Sequence, residues 1–204
     1  MPTPRPQLED TPESWPVVDS NDLFRDDWVM ALRADDVRPP GEPRGDSFRR
    51  LVLEHPGSSV VVALDGDERV FCLRQYRHAA GRRFVELPAG LCDVDGEQPL
   101  EVARRELREE AGLEAAEWIH LASTYPSPGI SAELMHFYLA RDLAPADRGD
   151  FVAEHEEADM DGLWVALGEL RSAALDGRLQ DAPTVLAVLL VAAQGYAGAR
   201  AAGE

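Results

Sequence analysis

Glu106, Glu109 and Glu110 are the residues of this chain whose type and spacing best suit chemistry. In a helix, at about 100° per residue, they share one arc. Leu100, Ala103, Leu107 and Ala111 fall on a separate arc that can pack on a core. Arg105 stands one turn before Glu109, which places a helical ion pair there. Glu106 and Glu110 are like charges one turn apart, an arrangement costing about a few tenths of a kcal/mol in an isolated helix. Something positive between the carboxylates would relieve it, and a hard divalent cation held by oxygen ligands is the natural candidate. The plainer reading is a solvated acidic helix face with a salt bridge.

The residues around these acids decide between the two readings. Residues 90–113, GLCDVDGEQPLEVARRELREEAGL, resemble the signature of the Nudix hydrolases: a glycine, a glutamate, seven residues, then Arg-Glu-apolar-x-Glu-Glu-x-Gly-apolar. Arg105, Glu106, Leu107, Glu109, Glu110, Gly112 and Leu113 match its second half position for position, and Glu97 lies where the glutamate belongs. The spacer between Gly90 and Glu97 is one residue longer than in the signature. The extra residue falls in a loop, where length is inexpensive. The segments QYR (75–77) and ELPAG (86–90) are similar to those of the branch acting on ADP-ribose and other nucleotide sugars. Pro128, sixteen residues beyond Gly112, resembles that branch's marker, and the loop HEEADM (155–160) resembles its actinobacterial-type members.

The element order allows α+β or an α/β sandwich, and this resemblance implies the latter, a mixed sheet between helices; the strand pattern adds an N-terminal β-hairpin. The resemblance implies hydrolysis of the pyrophosphate of ADP-ribose to AMP and ribose 5-phosphate. Other nucleotide sugars such as GDP-mannose or ADP-glucose, and a non-catalytic ADP-ribose sensor, are the alternative readings. A sensor should lose one of the helix acids, and this chain keeps all three. Pyrophosphate cleavage needs a divalent ion to neutralise the phosphates and ready a water, so Mg2+, or Mn2+, is the implied cofactor. Glu106 and Glu110 would be the main ligands, with Glu109 a ligand or close neighbour and the Ala89 carbonyl one more. Arg105 would orient a glutamate, Glu97 and Gly90 would shape the loop entering the helix, and Gly112 would end it. The proton of the water needs a further carboxylate, and Glu156 or Glu157 in the HEEADM loop would serve as base or extra ligand.

Substrate contacts complete the set. Arg77 is the expected phosphate contact, and Glu86 a partner for a ribose or the base. Pro126, Pro128 and Gly129 make a stiff loop fit to wall a sugar pocket, with Glu133 reaching the terminal ribose. Adenine needs an aromatic shelf, for which Trp28 or Phe48 in the N-terminal strands is available. Family members often exchange those strands across a homodimer.

The elements that must position these residues can be read from pattern. Residues 1–16 are rich in proline and polar side chains and read as a disordered arm. Strands are expected at 28–34 and 48–54, within an N-terminal region 17–56. In the main domain, 57–198, an apolar hairpin spans 58–64 and 69–76, and 84–87 leads into the acidic helix. Strands follow at 118–125, 134–140 and 163–166, then helices at 167–175 and from Asp181, a capping residue, to about 194. Residues 147–161 form an acidic irregular loop and 199–204 a tail. The last helix is apolar almost all round, as a buried helix would be.

Composition bounds the partners. With 204 residues and a net charge of −18, the chain is unsuited to nonspecific nucleic-acid or anionic-membrane binding. An anionic substrate must rely on local arginines or metal. Cys72 and Cys92 give no disulfide framework or zinc spacing. Neither a basic-then-apolar leader nor a membrane-length apolar run is present, so the expectation is a cytoplasmic protein.

Overall fold

The strand with the most uninterrupted apolar run sets the architecture. In the computed structural model, which describes residues 8–41, 45–149 and 158–196, the chain divides into two units, Met1–Glu54 and His55–Glu204. The second unit contains β4 (Ser58–Ala63), β5 (Arg69–Arg77), β6 (Arg82–Glu86), β7 (Ala89–Leu91), α1 (Pro99–Ala111), β8 (Leu113–Thr124), β9 (Met135–Pro145), β10 (Asp161–Ala166), α2 (Leu167–Leu175) and α3 (Ala182–Ala193). Every residue of β4 is buried. Successive side chains on a strand point to opposite faces, so a run such as this one signals a strand covered on both sides.

The packing follows that alternation. Val60 and Val62 join Val70, Cys72, Phe137 and Leu139 in one cluster with Leu167 and Leu170 of α2 and Ala187, Val188 and Val191 of α3. Val61 and Ala63 join Phe71, Leu73, Tyr138 and Ala140 in the other cluster, with Ala103 and Leu107 of α1. One helix layer therefore covers each face, which is the expected α/β/α sandwich. The sheet layer is divided: one sheet runs β7-β4-β9-β8 and another β10-β5-β6. β4 and β9 are parallel, while the other pairs are antiparallel.

The division corrects one expectation. The stretches 58–64 and 69–76 do form consecutive strands, but not a ladder-paired hairpin; a single bridge, Leu64 to Val70, joins them. Both edges of β4 are taken by β7 and β9, leaving β5 to pair with β6 and β10. Asp65 fixes the tight turn between them, its carboxylate accepting from the backbone N–H of Asp67 and Arg69 at 3.0 and 2.8 Å.

The helices begin and end as their sequences direct. Pro99 opens α1, and Gly112 closes it at φ 64°, the left-handed conformation that costs glycine least. Arg148 donates to the Glu110 carbonyl at 2.5 Å, a cation at the negative end of the helix. Asp181 caps α3 by accepting from the Thr184 N–H at 2.9 Å. α3 is buried on one face and half-buried over most of the other.

The first unit holds β1 (Val17–Phe24), β2 (Ala31–Val37) and β3 (Phe48–Glu54) in one antiparallel sheet, ordered β1-β2-β3. The expected hairpin is β2 and β3, with β2 lying further along the chain than the 28–34 pattern places it. β1 is an added strand. Its centre, Asp19-Ser20-Asn21-Asp22, has no apolar alternation, and all eight residues are exposed. Backbone pairing with β2 holds it, helped by Ser20 Oγ donating to Asp35 Oδ1 at 2.6 Å. Arg33 links Asp35 to Glu54, and Arg25 links Asp22 to Glu54.

Leu107 is fully buried between α1 and the sheet. Leu107→Ala should destabilise the protein by about 2–5 kcal/mol, read as a lower urea midpoint at an unchanged slope. A loss well below that range would mean that α1 does not carry its layer.

Candidate active site

The acidic face of α1 is turned inward. Glu106 and Glu110 are only 8% and 9% exposed, and Glu109 is half-buried. The sequence pattern alone reads as an outward-facing acidic stripe; tertiary packing lays that stripe against β7. Glu110 Oε2 accepts from the backbone N–H of Ala89 at 2.9 Å. A Cβ built on Gly90 would lie 1.8 Å from Glu106 Oε1 and 2.1 Å from its Cδ. Gly90 is thus needed for its missing side chain, which leaves the space that the Glu106 carboxylate fills.

Burying carboxylates is costly unless they are paired. Arg105 meets that cost. It donates to Glu106 at 2.6 Å, to Glu109 at 3.3 Å and through two nitrogens to Glu97 at 3.3 Å. Burial pulls its guanidinium down, but the hydrogen bond to Glu97 and the charges of Glu106, Glu97 and Glu109 outweigh this and hold it above the usual arginine range. The ion pair expected with Glu109 is present. Glu97, despite the longer loop before it, reaches Arg105.

Next to this acid pair lies a cavity of about 290 Å³ that shares Ala89 with it. Val60, Phe84, Leu87 and Met135 give it apolar walls, and Arg77, Glu86, Asp181 and Thr184 supply its polar groups. Arg77 ends β5 and Glu86 ends β6. In the ladder Arg77 stands opposite Arg82 and Glu86 opposite Leu73, so it is the length of the two side chains that lets them meet in a two-pronged pair, with contacts between 2.7 and 3.2 Å. Burial lowers the Arg77 pKa, while the Glu86 hydrogen bond and the charges of Glu86, Glu110 and Asp181 raise it further, for a net rise. Arg77 therefore remains cationic in a strongly acidic surround.

The other sequence-marked residues are distributed unevenly. Glu133 accepts from Ser58 Oγ at 2.9 Å and lies 3.8 Å from His55 Nε2. Pro128 sits in an exposed turn and does not line the cavity. Trp28 belongs to the N-terminal unit, where it is 60% exposed. Glu156 and Glu157 lie outside the described residues. Sequence reading missed Thr184 and Met135 as cavity residues and saw Asp181 only as a helix cap. The one available signal was Asp181 itself, an acid at the start of an apolar helix.

Comparison with known proteins identifies the family. The NUDIX domain model matches residues 53–188, and the chain belongs to that family. It is 43% identical to an ADP-ribose pyrophosphatase of Mycobacterium tuberculosis over 163 residues, covering 80% of this chain and 76% of that protein. It is 33% identical to a methanol dehydrogenase activator of Bacillus methanolicus, covering 78% of this chain and 83% of that protein. A crystal structure of an ADP compounds hydrolase superposes with a TM-score of 0.68 at 21% identity, over 92% of this chain and 99% of that one. At that identity the likeness speaks to the fold.

Nudix hydrolases use divalent metal ions. Among the described residues no group of three or more His, Cys, Asp or Glu side chains stands as a ready-made metal cluster. Arg105 occupies part of the space between Glu97, Glu106 and Glu109. The donor chemistry nonetheless fits: hard carboxylate oxygens on one rigid helix face, with a glycine opposite that leaves room. Gly90→Ala should fold, because the colliding atoms are the end of one flexible side chain. It should bind Mg2+ or Mn2+ at least about tenfold more weakly than wild type, as read by titration calorimetry. Equal affinity would show that the space opposite Glu106 has no part in metal binding.

Proposed function

We propose that this protein is a Mg2+-dependent hydrolase that cleaves the pyrophosphate of ADP-ribose, giving AMP and ribose 5-phosphate. The observation that carries the reading is the convergence of Glu106 and Glu110 on the Ala89–Gly90 strand, beside a cavity holding the Arg77–Glu86 pair. The similarity to an ADP-ribose pyrophosphatase supports the choice of substrate.

Glu106 and Glu110, with Glu109 and the Ala89 carbonyl, would hold the metal, which when bound neutralises phosphate charge and readies a water. Arg77, fixed by Glu86, offers a cation to the diphosphate. Arg105 keeps the carboxylates of Glu106 and Glu109 in place and does not touch substrate. Glu156 or Glu157 takes the proton of the attacking water. The water oxygen bonds to one phosphorus as the bridging P–O bond breaks, and each product leaves with a phosphate monoester. Pro128, Glu133 and Trp28 are the further substrate contacts in this reading.

The assembly in this reading is a cytoplasmic homodimer. In the N-terminal unit Val17, Val18, Leu23, Phe24 and Trp28 are exposed and available to a second copy of the chain. Cys72 and Cys92 are both free thiols, which suits a reducing compartment. Among the described residues no helix is long and apolar enough to cross a membrane.

Release of AMP from ADP-ribose with Mg2+, measured beside GDP-mannose and ADP-glucose, tests the activity; ADP-ribose should have the highest kcat/KM. No turnover of any of the three would overturn the enzyme reading. Glu110→Gln should lower kcat/KM roughly a hundredfold or more, equivalent to about 3 kcal/mol, with the circular dichroism spectrum unchanged. One of Glu156→Gln and Glu157→Gln should show a comparable loss, and two fully active variants would remove that loop from the mechanism.

A further inference from the structure

The N-terminal end of α3 reaches the same cavity as Arg77 and Glu86, and nothing in the reaction so far uses it. Thr184 is fully buried and lines the cavity, yet its hydroxyl has no hydrogen-bond partner among the described residues. A buried polar group left unpaired is destabilising. A threonine where valine would fit the same space therefore calls for a reason beyond packing. Asp181 provides a second polar group on this wall. One carboxylate oxygen, Oδ2, caps the helix through the Thr184 N–H.

The chemistry of the cavity narrows what it takes. About 290 Å³ lies at the small end of ligand pockets, which run roughly 300–1,000 Å³. It suits one ring of a nucleotide sugar and not the whole molecule. Two carboxylates, Glu86 and Asp181, accept hydrogen bonds only, so they favour a ring rich in hydroxyl donors. The apolar walls, Phe84 among them, suit the C–H face of such a ring. Arg77 stands in the same cavity, so the ring bound there is a sugar attached directly to the diphosphate, and of the two such riboses the terminal one carries three hydroxyls and no base, which suits a cavity the size of one ring. A base would lie one sugar further away.

We propose that Asp181 and Thr184 are specificity-determining residues that bind hydroxyl groups of the terminal sugar of the substrate. The inference rests on the hydrolase reading above. It makes the start of α3 part of the pocket, with the Thr184 hydroxyl satisfied when substrate is bound. It also gives Asp181 two tasks, to cap the helix and to read the sugar.

Two substitutions separate these tasks from folding. Asp181→Ser keeps a capping side chain but shortens it and removes the charge. Thr184→Val keeps the shape and removes the hydroxyl. Thr184→Val should melt at or above the wild-type temperature without substrate, because the unpaired hydroxyl is gone. In both variants KM for ADP-ribose should rise at least about fivefold, and by more than kcat falls. Wild type should prefer ADP-ribose to an analogue lacking hydroxyls on the terminal pentose, and both variants should lose that preference. Wild-type turnover with KM and preference unchanged in both variants would overturn this inference and leave the hydrolase reading intact. No turnover by wild type would overturn the hydrolase reading, and this inference with it.

Discussion

The structure depends on two carboxylates placed where a folded protein normally refuses them. Glu106 and Glu110 lie under the β7 strand with less than a tenth of their surface exposed. Three things make that tolerable: the Ala89 N–H, the Arg105 guanidinium and the absence of a side chain at Gly90. Each is a separate demand on the sequence. Arg105 alone joins Glu97, Glu106 and Glu109, so one cation ties the loop before the helix to the helix itself. A helix bearing this much charge on its buried side is held for what its oxygens do.

The helix and the strand it faces share one reference, β4. Val60 and Ser59 of β4 stand opposite Ala89 and Gly90 of β7. Ser59 also donates from its hydroxyl to the Pro99 carbonyl at 2.7 Å, at the first turn of α1. Both halves of the acid site are therefore fixed to neighbouring residues of one fully buried strand. Side chains of a packed interior have little freedom to shift, which makes β4 a rigid mount. The alternation of β4 side chains then places α1 on one face and α2 with α3 on the other. The same strand that holds the glutamates thus carries the wall of the cavity beside them, through Val60.

The overall charge of −18 sharpens the role of Arg77. A diphosphate approaching a chain of this net charge is repelled at long range. Arg77 is held among Glu86, Glu110 and Asp181, whose charges raise its pKa against the opposing effect of burial. A cation so surrounded is matched by anions already, so in the proposed reaction a diphosphate would compete with Glu86 for it. Metal bound at the nearby carboxylates would tilt that competition by removing negative charge from the surround.

Much of this was legible in the sequence. The glutamate spacing, the Gly112 stop, the Asp181 cap and the helix at 167–175 were all readable, because each follows from local periodicity or from one backbone conformation. The resemblance carried by residues 90–113 named the chemistry. What local pattern could not show was which way the acidic face turned, since periodicity separates two faces of a helix without saying what covers them. β1 was hidden because its pairing is a backbone matter and its side chains are polar. The two strands around Asp65 looked like a ladder-paired hairpin because a turn signal reports nearness along the chain, while the competition of β7 and β9 for the edges of β4 is non-local. The sequence by itself determined the helix acids and the family they mark. Only the tertiary structure decided that Glu106 needs the space at Gly90, and that Asp181 and Thr184, some seventy residues beyond Glu110, stand in one cavity with Arg77. Contacts of that kind depend on how sheets and helices stack, and no local rule in the chain encodes them.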